Sequence, residues 1–299
     1  MTVSVFWHPS SIKHSAGPGH PESPTRIEAV LAELRAPDIP FDIAWHEAEP
    51  ADHDMLTAVH PASYLTRLRD VTAQGGGRLG EDTVVNGHSF EAAVRGAGAA
   101  VGAVASALSG SPAFAAVRPP GHHATGDMAM GFCLINNVVV AARWALDHAG
   151  LERVLIIDWD VHHGNGTQAL VESDARVRYV SLHQWPFYPG TGSQAERGVG
   201  NIFNVPRPAR LPRTTYLADL SDAVSAATAV WEPELILISA GFDALAGDPL
   251  AGFTLEPEDY AQWVSAWRGM GVPMATVLEG GYNPARVAKA AVAHLGALA

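Results

Sequence analysis

The segment Asp158-Trp159-Asp160-Val161-His162-His163 closes an apolar run at 154–157 and is followed by Gly164-Asn165-Gly166. Carboxylates and imidazoles at the end of a buried strand are costly to desolvate unless they bind something. Side chains alternate along an extended chain, so positions 158, 160 and 162 share one side and His163 points to the other. Two carboxylates and a histidine on one side can form the core of a divalent metal site. Mixed Asp/His ligation suits zinc or a similar transition metal, with open positions for water and substrate. Asp158 reads either as another ligand or as a carboxylate that orients a histidine. His163 reads as a packing residue, and Gly-Asn-Gly as a turn. A further ligand has to come from another strand end. Asp243, in Gly241-Phe242-Asp243-Ala244-Leu245-Ala246-Gly247-Asp248-Pro249, is the best candidate, although an isolated Asp in such a stretch is more often a helix cap or turn residue.

His122-His123 follow Arg118-Pro119-Pro120-Gly121 and precede the apolar stretch 130–134. Adjacent imidazoles suit general acid and base roles near neutral pH, one of them kept charged by a carboxylate behind it. The competing reading of a bare His-His pair is a solvated surface dipeptide. Tyr282 follows Gly280-Gly281, whose freedom would let the phenol swing toward the metal and donate to a developing oxyanion. A structural turn tyrosine is the alternative. Phe132, Trp185, Phe187 and Tyr188 are candidates to line a narrow apolar channel, although aromatics are more often core. Other schemes do not assemble. There is no Gly-x-Ser-x-Gly elbow, phosphate loop or dinucleotide fingerprint, and Cys133 reads as an inert buried thiol. Gly75-Gly76-Gly77 reads as a flexible loop.

These residues need a frame. Strands are predicted at 3–7, 41–48, 113–117, 154–158, 177–182, 235–239 and 274–278. Helices are predicted at 25–34, 90–108, 136–149, 214–230, 256–270 and 284–298, with Ser23-Pro24 and Glu256-Pro257 as good starts. The Ala/Gly-rich stretch 92–107 reads as a tightly packed helix. The alternation implies one α/β domain over 1–299, a mostly parallel sheet with helices on both faces. In such sheets the ligand site lies beyond the carboxyl ends of the strands. Five predicted strand ends carry site-type residues: 118–123, 158–163, His183, 240–243 and 279–282.

With 47% hydrophobic and 17% charged residues among 299, the composition is that of a globular chain with a large core. The net charge of −12 argues against nucleic-acid binding and is compatible with a cationic substrate. A single cysteine excludes an intrachain disulfide framework. The sequence shows neither a secretory leader nor an apolar run long enough to span a bilayer, so a soluble cytoplasmic protein with no membrane partner is expected.

Taken together and in order, the segments 118–123, 131–133, 158–166, 181–183, 189–192, 241–249 and 279–282, with His20-Pro21-Glu22-Ser23-Pro24 and Arg26, resemble the zinc-dependent histone deacetylase family of the arginase–deacetylase fold. The resemblance covers nearly the whole chain and implies an eight-stranded sheet. It is closest to class II and its bacterial relatives, because Asn165 stands where class I enzymes carry an Asp.

The resemblance implies that Asp160, His162 and Asp243 bind one Zn²⁺. It implies His123 as general base and acid, His122 with Asp158 as electrostatic support, Asn165 orienting His123, and Tyr282 as oxyanion donor. Gly131, Phe132, Phe187, Tyr188 and Leu250 would line an acyl-lysine channel. A structural K⁺ would lie near Asp158, Asp160, His162, Ser181 and Leu182, held partly by backbone carbonyls. The expected activity is removal of acetyl or related acyl groups from acyl-lysine in a protein or peptide, or from a small acylated amine. The alternative is acetylpolyamine hydrolysis. That branch carries a glutamate where this chain has Leu250, which tilts the expectation modestly toward acyl-lysine, since another acid such as Glu22 or Asp82 could replace that function. A binuclear-manganese ureohydrolase would need more bridging carboxylates. A non-catalytic acyl-lysine reader would not need His122, His123 and Tyr282.

Overall fold

The central apolar runs assemble into one sheet because they are apolar on both sides and must be covered on both sides. A computed structural model describes residues 2–299. The strands are β1 (Thr2–Trp7), β2 (Asp42–Glu47), β3 (Gly76–Arg78), β4 (Val84–Asn86), β5 (Ala113–Ala115), β6 (Val154–Asp158), β7 (Val177–Gln184), β8 (Ile202–Arg207), β9 (Leu235–Ala240) and β10 (Met274–Leu278). Eight of them form a sheet in the order β2-β1-β5-β10-β9-β6-β7-β8. Every pairing in it is parallel, so the expected "mostly parallel" sheet is parallel throughout. The central strands β6, β9 and β10 are buried along their whole length.

The helices are α1 (Ser10–Lys13), α2 (Pro24–Glu33), α3 (His53–Thr57), α4 (Ala62–Ala73), α5 (Ser89–Leu108), α6 (Asn137–Asp147), α7 (Asn165–Val171), α8 (Arg213–Thr228), α9 (Pro257–Arg268) and α10 (Pro284–Leu298). Helices α5, α6 and α7 pack on one another, and α2, α10, α9 and α8 form a second continuous group, so the sheet lies between two helical layers. Small residues let α5 sit close: a side chain at Gly98 would enter the backbone of 49–51, and one at Gly102 would enter the Phe6 ring. Local chemistry starts the helices as predicted. Asn283 caps α10 by accepting from Arg286 N, and Glu256 and Asp259 form a reciprocal capping box on α9.

Four expectations need correction. β8 was not foreseen, because Asn204 and Pro206 break its apolar pattern; it tolerates them as an edge strand paired only to β7. Gly76 and Gly77 are not loop but belong to β3, which pairs antiparallel with β4. The Gly-Asn-Gly stretch does not end in a turn, since Asn165 opens α7. The short or polar helices α1, α3 and α4 also escaped prediction, since too few apolar residues recur in them to show a period.

The chain beneath the 158–162 segment is aromatic. Trp159, between the two aspartates, is fully buried against Tyr260 (ring centroids 5.4 Å apart), Trp263 (6.0 Å) and Phe242 (6.2 Å).

Candidate active site

Parallel strands bring their carboxyl ends to one edge of the sheet, and register fixes which residues meet there. Asp158 at the end of β6 pairs with Ser181 of β7 on one side and Ser239 of β9 on the other. The chain leaving β6 then carries Asp160 and His162 beside Asp243, which follows β9. Donor atoms of Asp160, His162 and Asp243 lie within 4.8 Å of one another. His162 Nδ1 is 2.9 Å from Asp243 Oδ2 and 3.1 Å from Asp160 Oδ1. Main-chain donors fix both carboxylates: Val161 N donates to Asp243 Oδ1 (2.7 Å), and Gly280 N to Asp160 Oδ2 (2.9 Å). Gly280 is required at this approach, because a Cβ there would stand 2.5 Å from Asp160 Oδ2 and 2.7 Å from Asp243 Oδ2.

The charge balance of this trio fits a divalent cation. Burial and the neighbouring Asp160 push the Asp243 carboxyl up to about 7. Burial also opposes ionisation of Asp160, but the facing imidazoles His122 and His162 outweigh it and hold its carboxyl well below the usual range. Burial disfavours a charged His162, yet hydrogen bonds to Asp160 and Asp243 raise it to about 10. The two buried carboxylates draw positive charge onto the His162 imidazole, at the point where a divalent cation would take the place of its proton. The donor set, two oxygens and one imidazole nitrogen, suits zinc. Asp158, left open in the sequence as a ligand, lies outside the trio.

The adjacent histidines have opposite surroundings. His122 Nδ1 is 3.1 Å from Asp158 Oδ2, which also accepts from Tyr179 Oη at 2.8 Å, and His122 Nε2 is 3.8 Å from Asp160 Oδ2. Burial works against its charge, but Asp160 and Asp158 raise the imidazole to about 10, so His122 is a cation at neutral pH. His123 Nδ1 is 2.8 Å from Asn165 Oδ1. An amide oxygen only accepts, so Nδ1–H donates to it and Nε2 is left as the acceptor. Burial, reinforced by His122 and His162, holds His123 well below the usual histidine range, so it is a neutral imidazole.

A cavity of about 220 Å³ opens above these groups. Its walls include the five channel candidates Gly131, Phe132, Phe187, Tyr188 and Leu250, together with His123, His162 and Tyr282. Phe187 stacks on His162 (5.3 Å, 18°), Tyr188 meets His123 edge-on (5.1 Å, 87°) and Phe132 meets Tyr282 edge-on (6.0 Å, 84°). Trp185 is not part of this wall, contrary to the sequence reading. Burial raises the Tyr282 phenol well above its ordinary value despite Arg26 5.0 Å above the ring, so the hydroxyl remains a donor.

His163 is drawn out of the site. It bonds Thr191 Oγ1 (2.8 Å) and Gln168 Oε1 (2.9 Å), and burial lowers it to about 4. The positions considered for K⁺ gather where β6 and β7 end, around the Asp158–Ser181 pair. Leu182 O there accepts from Tyr216 Oη at 3.4 Å.

Two residues at the site, Arg26 and Glu279, were given no role by the sequence, and Asp82 entered it only as an acid that could stand in for a channel glutamate. Asp82 reaches the cavity wall and accepts from Gly131 N at 3.0 Å. Arg26 donates to the carbonyls of Gly281 and Glu279, and it shares the buried Glu22 carboxylate with Arg118. Glu279 is fully buried behind the histidine pair. The hydrogen bond of Asp82 to the Gly131 amide carries no signal in the sequence. For Arg26 and Glu279 the only signal was their place inside the segments that carried the resemblance.

The fold and site define an α/β domain whose main sheet is all parallel, with a candidate metal site at the carboxyl edge of that sheet, and comparison with known proteins gives the family. The histone deacetylase domain model matches residues 20–298, so the chain belongs to the histone deacetylase family. It is similar to a histone deacetylase-like amidohydrolase of Pseudomonas aeruginosa (37% identity over 92% of this chain and 76% of that protein). It is also similar to a probable deacetylase of Methanothermobacter thermautotrophicus (36%, 94% and 86%). Among solved structures, the HDA15 HD domain superposes with a TM-score of 0.91 at 35% identity, covering 99% of this chain and 90% of that one. The eight-stranded sheet is thus that of the arginase–deacetylase fold. No helix among the described residues is long and apolar enough to cross a membrane.

Proposed function

We propose that the chain is a zinc-dependent amidohydrolase that removes acetyl or related acyl groups from acyl-lysine or a similar acylated amine. The observation that carries this reading is the split of the histidine pair, a cationic His122 beside a neutral His123, against the Asp160–His162–Asp243 trio at the base of an apolar channel. Asp160, His162 and Asp243 would hold the zinc, which when bound supplies Lewis acidity to the amide carbonyl and to water. The neutral His123 Nε2 accepts a proton from the attacking water and returns one to the leaving amine. His122, fixed by Asp158, keeps positive charge beside the developing negative charge. The Tyr282 hydroxyl donates to the oxyanion. Phe132 and Tyr188 hold the apolar stem of the acyl-lysine and keep bulk water out. A structural K⁺ near Asp158, Asp160, His162, Ser181 and Leu182 and a cytoplasmic site of action complete the reading.

Leu250 gives the channel wall an apolar side chain where the polyamine branch carries a glutamate, which favours acyl-lysine, while Asp82 in the same wall keeps acetylpolyamine hydrolysis as the alternative that the experiment must decide. The test is a screen of acyl chains and amine scaffolds, acetylputrescine included, on zinc-loaded protein with Tyr282→Phe as control. Hydrolysis of acyl-lysine that hydroxamates and chelators abolish is expected. No turnover across the panel at full zinc loading overturns the reading.

A further inference from the structure

Glu279 lies at the junction of every part of the site yet touches no ligand position. It follows β10 directly and is fully buried. Its Oε2 accepts from two consecutive backbone amides, Gly121 N at 2.6 Å and His122 N at 3.1 Å. Its Oε1 lies 3.4 Å from Ser239 Oγ. Its own carbonyl accepts from Arg26 Nη2 at 2.5 Å, and its main-chain N–H donates to Ala240 O at 3.1 Å. The next amide, Gly280 N, holds Asp160 Oδ2, and two residues further on stands Tyr282.

The loop 118–123 leaves the sheet at β5 and carries both histidines, so something must set how far it lies from the strand ends opposite. The amides of Gly121 and His122 point into a dry interior, where an unpaired N–H is costly. Neither amide donates to a main-chain carbonyl across the gap to β10. A side chain long enough to cross that gap, with one oxygen to accept both, is what the position supplies. His122 and Cys133 also lie near this carboxyl, but Cys133 Sγ is engaged with Gly131 O and His123 N, so the close His122–Cys133–Glu279 group is internally bonded and does not present a second open metal site.

Resting on the deacylase reading, we infer that Glu279 is a positioning residue. By accepting from Gly121 and His122 N–H, it fixes the histidine pair relative to Tyr282, carried on its own stretch of chain, and to Asp160, which the next amide, Gly280 N, holds.

The test compares Glu279→Ala and Glu279→Gln with wild type, each zinc-loaded, by kinetics on acetyl-lysine peptide, hydroxamate affinity, zinc content and backbone amide NMR. Glutamine keeps an oxygen acceptor but a weaker one. Alanine leaves both amides orphaned and the loop free to shift, a displacement of the kind that costs about 100-fold in rate. The expected result is a kcat lowered about 100-fold in Glu279→Ala and restored to within about tenfold of wild type in Glu279→Gln, with KM, zinc content and hydroxamate affinity little changed. The Gly121 and His122 amide signals should move upfield in Glu279→Gln. A folded Glu279→Ala protein that keeps its kcat within about threefold overturns the inference, as does loss of zinc and hydroxamate binding in step with kcat. Unmoved Gly121 and His122 amide signals in Glu279→Gln also overturn it, and that reading stands even where the alanine variant does not fold. A wild-type protein with no acyl-lysine turnover would instead overturn the deacylase reading, and the NMR comparison would still decide whether the contact exists.

Discussion

His122 and His123 are neighbours in sequence, with ring centroids 4.0 Å apart, yet they sit in two different media. The floor around His122 is lined by Asp158, Asp160 and Glu279, and this ring carries a charge that nothing at neutral pH removes. The channel side around His123 offers an amide, Asn165, and the rings of His162 and Tyr188, and this one stays neutral. One residue type yields a cation and a proton acceptor because carboxylates surround the first ring, whereas the second is buried beside an amide and two other imidazoles. Separating the two roles within one dipeptide needs both surroundings to be dry, since water would level the two pKa values.

The comparison can be broken at several points. The largest effect is expected from His123→Ala, which deletes the neutral partner and should lower kcat/KM about 1,000-fold with zinc content unchanged, checked by kinetics alongside metal analysis. Tyr282→Phe removes a donor to the oxyanion from the wall that both histidines face; kcat should fall about 100-fold with little change in hydroxamate affinity. Asp158→Asn makes the floor resemble the channel side. Without that carboxylate the imidazolium of His122 loses stabilisation, and kcat should fall at least tenfold, more at high pH than at low, as a pH–rate profile would show.

Asn165→Asp does the reverse. It raises the pKa of His123, so the proton-accepting form is lost at a higher pH. The acidic limb of kcat/KM should move up in pH, with a severalfold loss near pH 6 and little near pH 9. The smallest effect concerns stability. His294, packed against the Trp159 and Phe242 rings beneath the site, is lowered to about 4 by burial and is hydrogen-bonded to Thr276 Oγ1 at 3.2 Å. Between about pH 6.5 and 4 the unfolded chain binds a proton there that the folded chain refuses, so stability falls as pH falls through that window. Thermal melts of wild type and His294→Gln from pH 7 to 4 should converge toward the acid end.

What the sequence disclosed follows the same division. Asp160, His162 and Asp243 were legible because strand alternation and a parallel sheet leave few ways to arrange polar groups that end apolar runs. Asn165 was legible only through resemblance, since a Gly-Asn-Gly stretch looks like a turn and its contact with His123 spans 42 positions. Glu279 is bonded across 158 positions to main-chain amides, which have no identity in a sequence at all. Asp82 likewise spends its carboxylate on backbone. The edge strand β8 was missed for a local reason, its proline and asparagine, which only an unpaired edge makes acceptable.

Two of the metal-ligand candidates have aromatic neighbours in sequence, Trp159 before Asp160 and Phe242 before Asp243, and both aromatics enter one buried cluster with Tyr260. The spacing of two carboxylates that repel each other is therefore held by close-packed rings rather than by mobile loop. Filling or emptying the trio changes the force on those rings, so the ultraviolet emission of Trp159 should act as a built-in optical gauge of metal occupancy, readable without substrate.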